Sequence, residues 1–540
     1  MQPARRFASL ALLACLLASQ DLRAAPAAAG IHFPVSCPAV QAEFDRAVTL
    51  LHSFEYPETG RLFRRILDRD PGCAMAHWGL AMSLWHPLWA PPSAAELAQG
   101  AAILRGVEAV RVTPREALWI AAARAFFADT DPAHHLARAA AYSRHMEALY
   151  AEDRDDTEAA LFYALSLLAI ADPRDKSYLN QYQAAAVLNH VRELQPLHPG
   201  VLHYLIHAFD YPGLAYLALG AATLYADAAP DSAHAQHMPA HIFTRLGLWE
   251  RAIASNHRAT AAAADYTVHA HLPGHYDEGF HSIDYEIYAL LQTARDEEAR
   301  RLLRTLHDLG KADVDNFKVA YTWAAAPARY ALERRAWGEA SRLMLAPADF
   351  PWREFPWAES IHHFARGLGA ARGGNLELAR VELEKIRALA GAVDPTLPAY
   401  WREEMSVQAD AVAGWVALAE DRRDEALALA RAAADREDAV DKHPVTPGEV
   451  LPARELYADM LFAVGRFPDA LDAYRRVLAS APHRYNAVLG AARSAARSGE
   501  PEAARAYYAE LEAIAPAARP GRASLDEAAA FLAAKQSALP

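Results

Sequence analysis

The chain has 540 residues, 53 % of them hydrophobic and 22 % charged, with a formal net charge of −13 at neutral pH. That charge is spread along the chain with no basic block, which argues against nucleic acid and anionic membrane surfaces as partners. The length exceeds what one compact core usually organises, so several domains or one repeat array is expected.

Residues 1–30 read as a signal peptide. Arg5 and Arg6 form a positive start and Leu10 to Leu17 a short apolar run. That run is too short to span a bilayer as a helix, and small residues suited to cleavage follow at Ala24 and Ala25–Ala29. Export to the periplasm or medium is expected; the alternative is a lipid anchor through Cys15, since Leu12-Leu13-Ala14-Cys15 is compatible with a lipidation box. No later stretch predicts a transmembrane span. Cys37 precedes the first expected helix and Cys73 follows the second. An antiparallel helix pair brings those ends together, so a disulfide is geometrically reasonable and chemically allowed outside the cytosol.

From residue 38 onward apolar residues recur at three and four, and strand signals are nearly absent. Pro, Gly and Asp-Pro punctuate helices, as at Asp70-Pro71, Asp131-Pro132, His198-Pro199 and Ala481-Pro482. Gly465, Ala470, Tyr474 and Pro482 recur 34 residues later as Gly499, Ala504, Tyr508 and Pro516. The five-residue step from Gly to Ala appears again at Gly213/Ala218, Gly247/Ala252 and Gly374/Ala379. Weaker copies sit at Ala294/Ala299, Arg335/Ala340 and Asp421/Ala426. The physical reason is local: the first residue permits a tight turn, the Ala lets the second helix lie close on the first, and Pro stops it. This predicts an all-α array with repeats over 31–345 carrying a His-rich groove, C-terminal repeats over 346–516, and a capping helix and tail over 517–540. The longest irregular stretch is expected near 265–280, and soft boundaries near 345–356 and 440–452.

Twelve of the 24 histidines fall between His190 and His281. His203 and His207 are four apart, His237 and His241 likewise, and each of the second pair lies 34 after its counterpart. Residues three or four apart share a helix face, and packed helices lie about 8–10 Å apart. Imidazoles on neighbouring first helices of successive repeats can therefore meet. Duplication of an ancestral repeat also predicts this placement. Aligning the next repeat by Ala299 matches His281 to His234, Asp284 to His237 and Tyr288 to His241. His134-His135, His362-His363, His443 and His483 read as surface residues, and His271-Leu272-Pro273-Gly274-His275 as a candidate lid.

The Gly-Ala-Pro framework over most of 38–516 resembles the tetratricopeptide repeat superfamily, which implies a right-handed α-solenoid of antiparallel helix pairs. The segments His198-Pro199-Gly200-Val201-Leu202-His203-Tyr204-Leu205-Ile206-His207 and His234-Ala235-Gln236-His237-Met238-Pro239-Ala240-His241-Ile242-Phe243 look like those of exported bacterial tetratricopeptide proteins. The resemblance implies that His203, His207, Asp210, His234, His237, His241, His281 and Asp284 face the concave wall, with His52 and His86 at its N-terminal end.

Three readings of the stripe stand at this point. One is a transition-metal site of Cu, Zn or Fe held by His203, His207, His234, His237, His241, His281 and Asp284, since imidazole suits those ions. Asp210, Tyr204, Tyr288, His52 and His86 would then support it from the second layer or the groove. If a coordination position stays open, the protein is a metal-dependent enzyme; a closed site means binding or storage. The second reading is a scaffold holding a peptide or protein partner in the groove without metal. The third is structural packing, in which each buried imidazole needs a hydrogen-bond partner.

Overall fold

A computed structural model describes residues 31–393, 397–517 and 521–534. The expected signal segment, Cys15 and the last six residues lie outside these. Among the described residues the chain is a solenoid of antiparallel helix pairs, and its only β-type pairing is an isolated bridge between His275 and Ala312. None of these helices is long and apolar enough to cross a membrane. Cys37 and Cys73 are joined, with their Cα atoms 5.5 Å apart, and tie the start of the first helix pair to its end.

The repeat register has a backbone signature. Gly465 and Gly499 adopt φ of 82° and 78°, the left-handed region that lets the chain reverse between two helices. The weaker anchors Ala294, Arg335 and Asp421 adopt it too, at 54°, 55° and 62°, although they carry a Cβ. The Ala five residues after each anchor is buried, from Ala218 and Ala252 to Ala470 and Ala504. The turn and the close helix contact are thus two ends of one device.

First and second helices of the pairs differ in what they bury. Asp296–Leu309, an outer helix, buries only Ala299 and Leu306. Pro199–Phe209 and Asp277–Gln292, on the inner side, are buried along their whole length. The inner wall is covered because the array coils back on itself. Helix Gln41–His52 packs on Pro199–Phe209, close enough that a Cβ at Gly200 would stand 2.7 Å from His52 Nδ1. Farther along, buried Arg484 donates to Glu333 (2.6 Å), Glu455 (2.5 Å) and the Tyr288 hydroxyl (3.0 Å), locking the C-terminal repeats to the centre. The main apolar core is continuous through the Pro-rich stretch, taking in Ala340, Phe350, Trp352 and Trp357.

Two local expectations change. Helix Trp249–His269 runs into the segment expected to be irregular, leaving only 270–276 outside helices. His275 does not reach over the groove: its backbone pairs with Lys311 and Asp313. The segment that enters the groove instead is 440–451, between helices Arg423–Asp438 and Ala453–Ala463. Tyr285 donates to the Val445 carbonyl (3.0 Å), Tyr321 to that of Gly448 (2.9 Å), and Arg329 to those of Gly448 (2.7 Å) and Glu449 (3.0 Å).

Candidate metal centre

Six histidines from three successive inner helices converge in two triads: His203, His207 and His234 in one, His237, His241 and His281 in the other. All six are buried, none more than 7 % exposed. In each triad the available ring nitrogens lie within 4.8 Å of one another. Helix Pro199–Phe209 presents His203 and His207 on one face. Pro239 cannot continue a helix, so the next inner helix is split into Ala233–His237 and Pro239–Arg245. The break lets His234 join the first triad while His237 and His241 form the second. His281, on Asp277–Gln292, closes the second triad, its ring 4.3 Å from that of His237.

The tautomers follow from the partners. Asn256 donates its amide to the Ala252 carbonyl (2.8 Å), which orients its Oδ1 toward His237 Nδ1 at 2.7 Å. An amide oxygen only accepts, so His237 Nδ1 carries the proton and Nε2 the lone pair. His241 Nδ1 donates to Asp210 Oδ2 (2.9 Å), so its Nε2 is also a lone pair. These two Nε2 atoms stand 3.0 Å apart, neither able to donate to the other. Tyr285 lies 3.4 Å from His241 Nε2 but gives its proton to Val445. The first triad fixes His203 in the same way. His203 Nδ1 donates to the His52 carbonyl (2.6 Å), leaving its Nε2 lone pair 3.0 Å from His207 Nε2 and 3.2 Å from His234 Nε2. An ion about 2.0–2.1 Å from three nitrogens holds them roughly 3.4 Å apart, close to these separations. A shared proton is disfavoured. Burial, reinforced by neighbouring imidazoles, holds His203, His207, His237 and His281 well below the ordinary imidazole range. Burial outweighs Asp210 at His241 and lowers it to about 4.

A third buried group, His52, Glu158 and His198, combines two histidines with a carboxylate and is in a different state. His198 Nδ1 accepts from Gly200 N–H (3.1 Å), so its Nε2 donates to Glu158 (3.2 Å). His52 Nε2 donates to the other oxygen (2.7 Å), and its Nδ1 accepts from Tyr204 (2.8 Å). Every ring nitrogen is hydrogen-bonded within the protein, so this group buttresses the first triad through the His52 carbonyl and offers no free imidazole lone pair to an ion.

The carboxylates are arranged as supports. Asp210 accepts from His241, Arg245 (2.9 Å) and Lys442 (2.8 Å); burial would raise its carboxyl, but the two cations hold it well below the usual range. Glu278 approaches His234 Nδ1 at 3.5 Å and pairs with Lys318, which also reaches Asp277 at 2.8 Å. Asp284, expected among the ligands, stands outside both triads and faces Arg329 at 3.4 Å. Burial there outweighs Arg329 and raises its carboxyl to about 6. Tyr288 pairs with Arg484, and His86 packs on Tyr56 with ring centroids 4.5 Å apart; neither belongs to a triad. His362 and His363 are buried rather than on the surface, because Glu382 of the next helix accepts from His363 at 2.6 Å. His443 is half-buried against Phe317, Tyr400 and Trp401.

Between the triads lies a cavity of about 10 Å³, near the lower limit for one water molecule. His207 and His234 line it from one triad, His241 and His281 from the other, and Trp89, Met238, Pro444, Val445 and the paired Glu278 and Lys318 close it. Sequence reasoning missed Asn256, Glu278, Lys318, Trp89 and segment 440–451. Asn256 one turn after Ala252, and Glu278 three before His281, carried a helical-face signal; the others reach the site from elsewhere in the chain.

Residues 461–525 match the tetratricopeptide repeat family model. No curated protein matches. Among solved structures, the Cut9 component of an APC/C hetero-tetramer with Hcn1 is 13 % identical, covering 91 % of this chain and 89 % of that one, with a TM-score of 0.30. Yeast Tom70 is 12 % identical, covering 92 % and 96 %, TM-score 0.29. Human IFIT1 with a capped RNA, m7Gppp-AAAA, is 11 % identical, covering 84 % and 94 %, TM-score 0.37. None of these likenesses bears on the histidine centre.

Proposed function

We propose that this tetratricopeptide repeat protein binds a pair of transition-metal ions, one in each histidine triad, and is a metal-dependent enzyme. The observation that carries the reading is the pair of facing Nε2 lone pairs on His237 and His241, 3.0 Å apart, whose Nδ1–H groups are both committed to acceptors. Two acceptors that close repel unless a cation lies between them; in the first triad the His203 Nε2 lone pair faces His234 Nε2 at 3.2 Å, and Glu278 stands 3.5 Å from His234 Nδ1. Asn256, Asp210 and the His52 carbonyl then serve as the outer partners that orient metal-binding imidazoles. The cavity shared by the two triads supports an open coordination position, the mark of a catalytic rather than a storage site.

Export belongs to the same proposal, supported by the Cys37–Cys73 bridge and by the character of residues 1–30. N-terminal sequencing of the mature chain separates cleavage near Ala24 from lipidation at Cys15. The test of function is elemental analysis of protein produced with Cu, Zn and Fe supplied. Near-stoichiometric metal is expected, and its loss, with the helical signal retained, when His207 and His241 are both changed to Ala. Metal-free wild-type protein contradicts the reading.

A scaffold role is supported by the repeat architecture and by a cleft of about 540 Å³ beside the centre, lined among others by Arg245, Lys442, Tyr288 and Glu449. A peptide or protein partner belongs in that cleft rather than at the triads, whose own cavity is too small. Its binding should survive chelation.

A further inference from the structure

Resting on the two-ion reading, we infer that the ions are copper, bound as Cu(I), and that the cavity between the triads is where they take up dioxygen.

Charge points first to a monovalent ion. All six donors are imidazoles, which ligate a metal in the neutral form. The acids next to them are already matched: Asp210 by Lys442 and Arg245, Glu278 and Asp277 by Lys318. These three carboxylates and three cations cancel. Two further buried carboxylates are held by hydrogen bonds rather than by a cation: Glu158, one layer behind His203, by His52 and His198, and Glu55, beside His234, by Ser232, Tyr276 and the His234 N–H. Two divalent ions would bring four positive charges into a centre whose ligands are at most 7 % exposed. Two monovalent ions bring half that, and the cost of burying an ion grows with the square of its charge. Of copper, zinc and iron, copper has the accessible monovalent state, and imidazole suits it.

Coordination number points the same way. Each triad supplies three nitrogens, and no carboxylate or thiolate joins either one among the described residues. Zinc held by three histidines takes a water as its fourth ligand, whereas Cu(I) is stable with three nitrogens alone. The position left over opens on one cavity common to both triads, with room for about one water-sized molecule. Its other walls are Trp89, Met238, Pro444, Val445 and the mutually paired Glu278 and Lys318, so the ligand it fits is small, on the scale of a diatomic molecule. An ester or peptide awaiting hydrolysis does not fit there.

The step balances without a proton. Each Cu(I) gives one electron; dioxygen gains two and falls to the peroxide level with its O–O bond intact. Two Cu–O bonds form, and both ions become Cu(II).

The test uses the full mature chain stripped of metal and titrated with Cu(I) under anaerobic conditions. Two equivalents should bind tightly. Admitting air should consume one dioxygen per chain and produce a strong near-ultraviolet charge-transfer band. The oxidised protein should give no copper paramagnetic resonance signal, because two Cu(II) ions bridged by one ligand couple. His207→Ala should keep the second triad's copper, lose dioxygen uptake and, once oxidised with added ferricyanide, show the signal of an isolated Cu(II). Wild-type protein that binds two zinc or iron ions but not Cu(I) overturns the inference and leaves the two-ion reading standing. So does copper-loaded wild type that oxidises to uncoupled, resonance-visible Cu(II). Wild type that binds none of these metals overturns both.

Discussion

Replacing Asn256 with leucine removes the acceptor that holds the proton on His237 Nδ1. In the wild type that proton forces the Nε2 lone pair toward His241, 3.0 Å away. Without the acceptor, His237 can carry its proton on Nε2 and donate it to His241, which relieves the metal-free centre and blocks a ligand position. Losing an outer partner of a metal-bound imidazole costs about 10- to 100-fold in affinity, or roughly 1.4–2.7 kcal/mol. A purely structural histidine cluster predicts the opposite pattern: unchanged metal binding and about 1–3 kcal/mol less stability for a buried donor left unpaired. Asn256→Asp keeps an acceptor at the same place and should retain affinity. The assay pairs competitive metal titration against a chelator with denaturant unfolding of metal-free protein. An Asn256→Leu variant with wild-type metal affinity and a clear loss of metal-free stability refutes the reasoning.

Arg484→Met should destabilise the array by about 3–5 kcal/mol, because Glu333 and Glu455 would be left buried around an absent cation. Denaturant unfolding monitored by far-ultraviolet circular dichroism reads this. The His363–Glu382 pair should make stability depend on pH in two directions. Burial lowers His363, but hydrogen bonds to Glu359 and Glu382 outweigh it and raise the imidazole, so its contribution fades as pH rises through that raised value. Burial likewise opposes the partners of Glu382, yet His363 and Arg366 bring it down to about 2, so its contribution is present above the ordinary carboxylate range and fades as pH falls toward 2. His363→Gln, compared with wild type across pH 3–9 by thermal unfolding, should lose most between these limits; a difference independent of pH contradicts the assignment.

The repeat array was legible because its instructions are local. A left-handed residue and an Ala five positions later specify a turn and a close contact within one helix pair, and Ala294, Arg335 and Asp421 were found by that step without being glycine. The pairs His203/His207 and His237/His241 were legible for the same reason, since four residues on a helix is a fixed geometry. The division of six histidines into two triads was not, because it depends on how Pro239 splits one helix. Asp284 read as a ligand by repeat alignment, but Arg329, supplied by the next inner helix, faces it. The groove read as open because the wall residues follow repeat position, whereas its cover arrives from a distant loop. Pro444, Pro447 and Gly448 announce that loop in the sequence without saying where it lands.

Anomalous diffraction from crystals of the full mature chain, collected on both sides of the copper, zinc and iron absorption edges, tests the central claim most directly. The account predicts two anomalous peaks, one bounded by Nε2 of His203, His207 and His234 and the other within reach of His237, His241 and His281. Crystals of metal-supplied protein with no anomalous peak in either triad, and the six imidazoles hydrogen-bonded among themselves, contradict it.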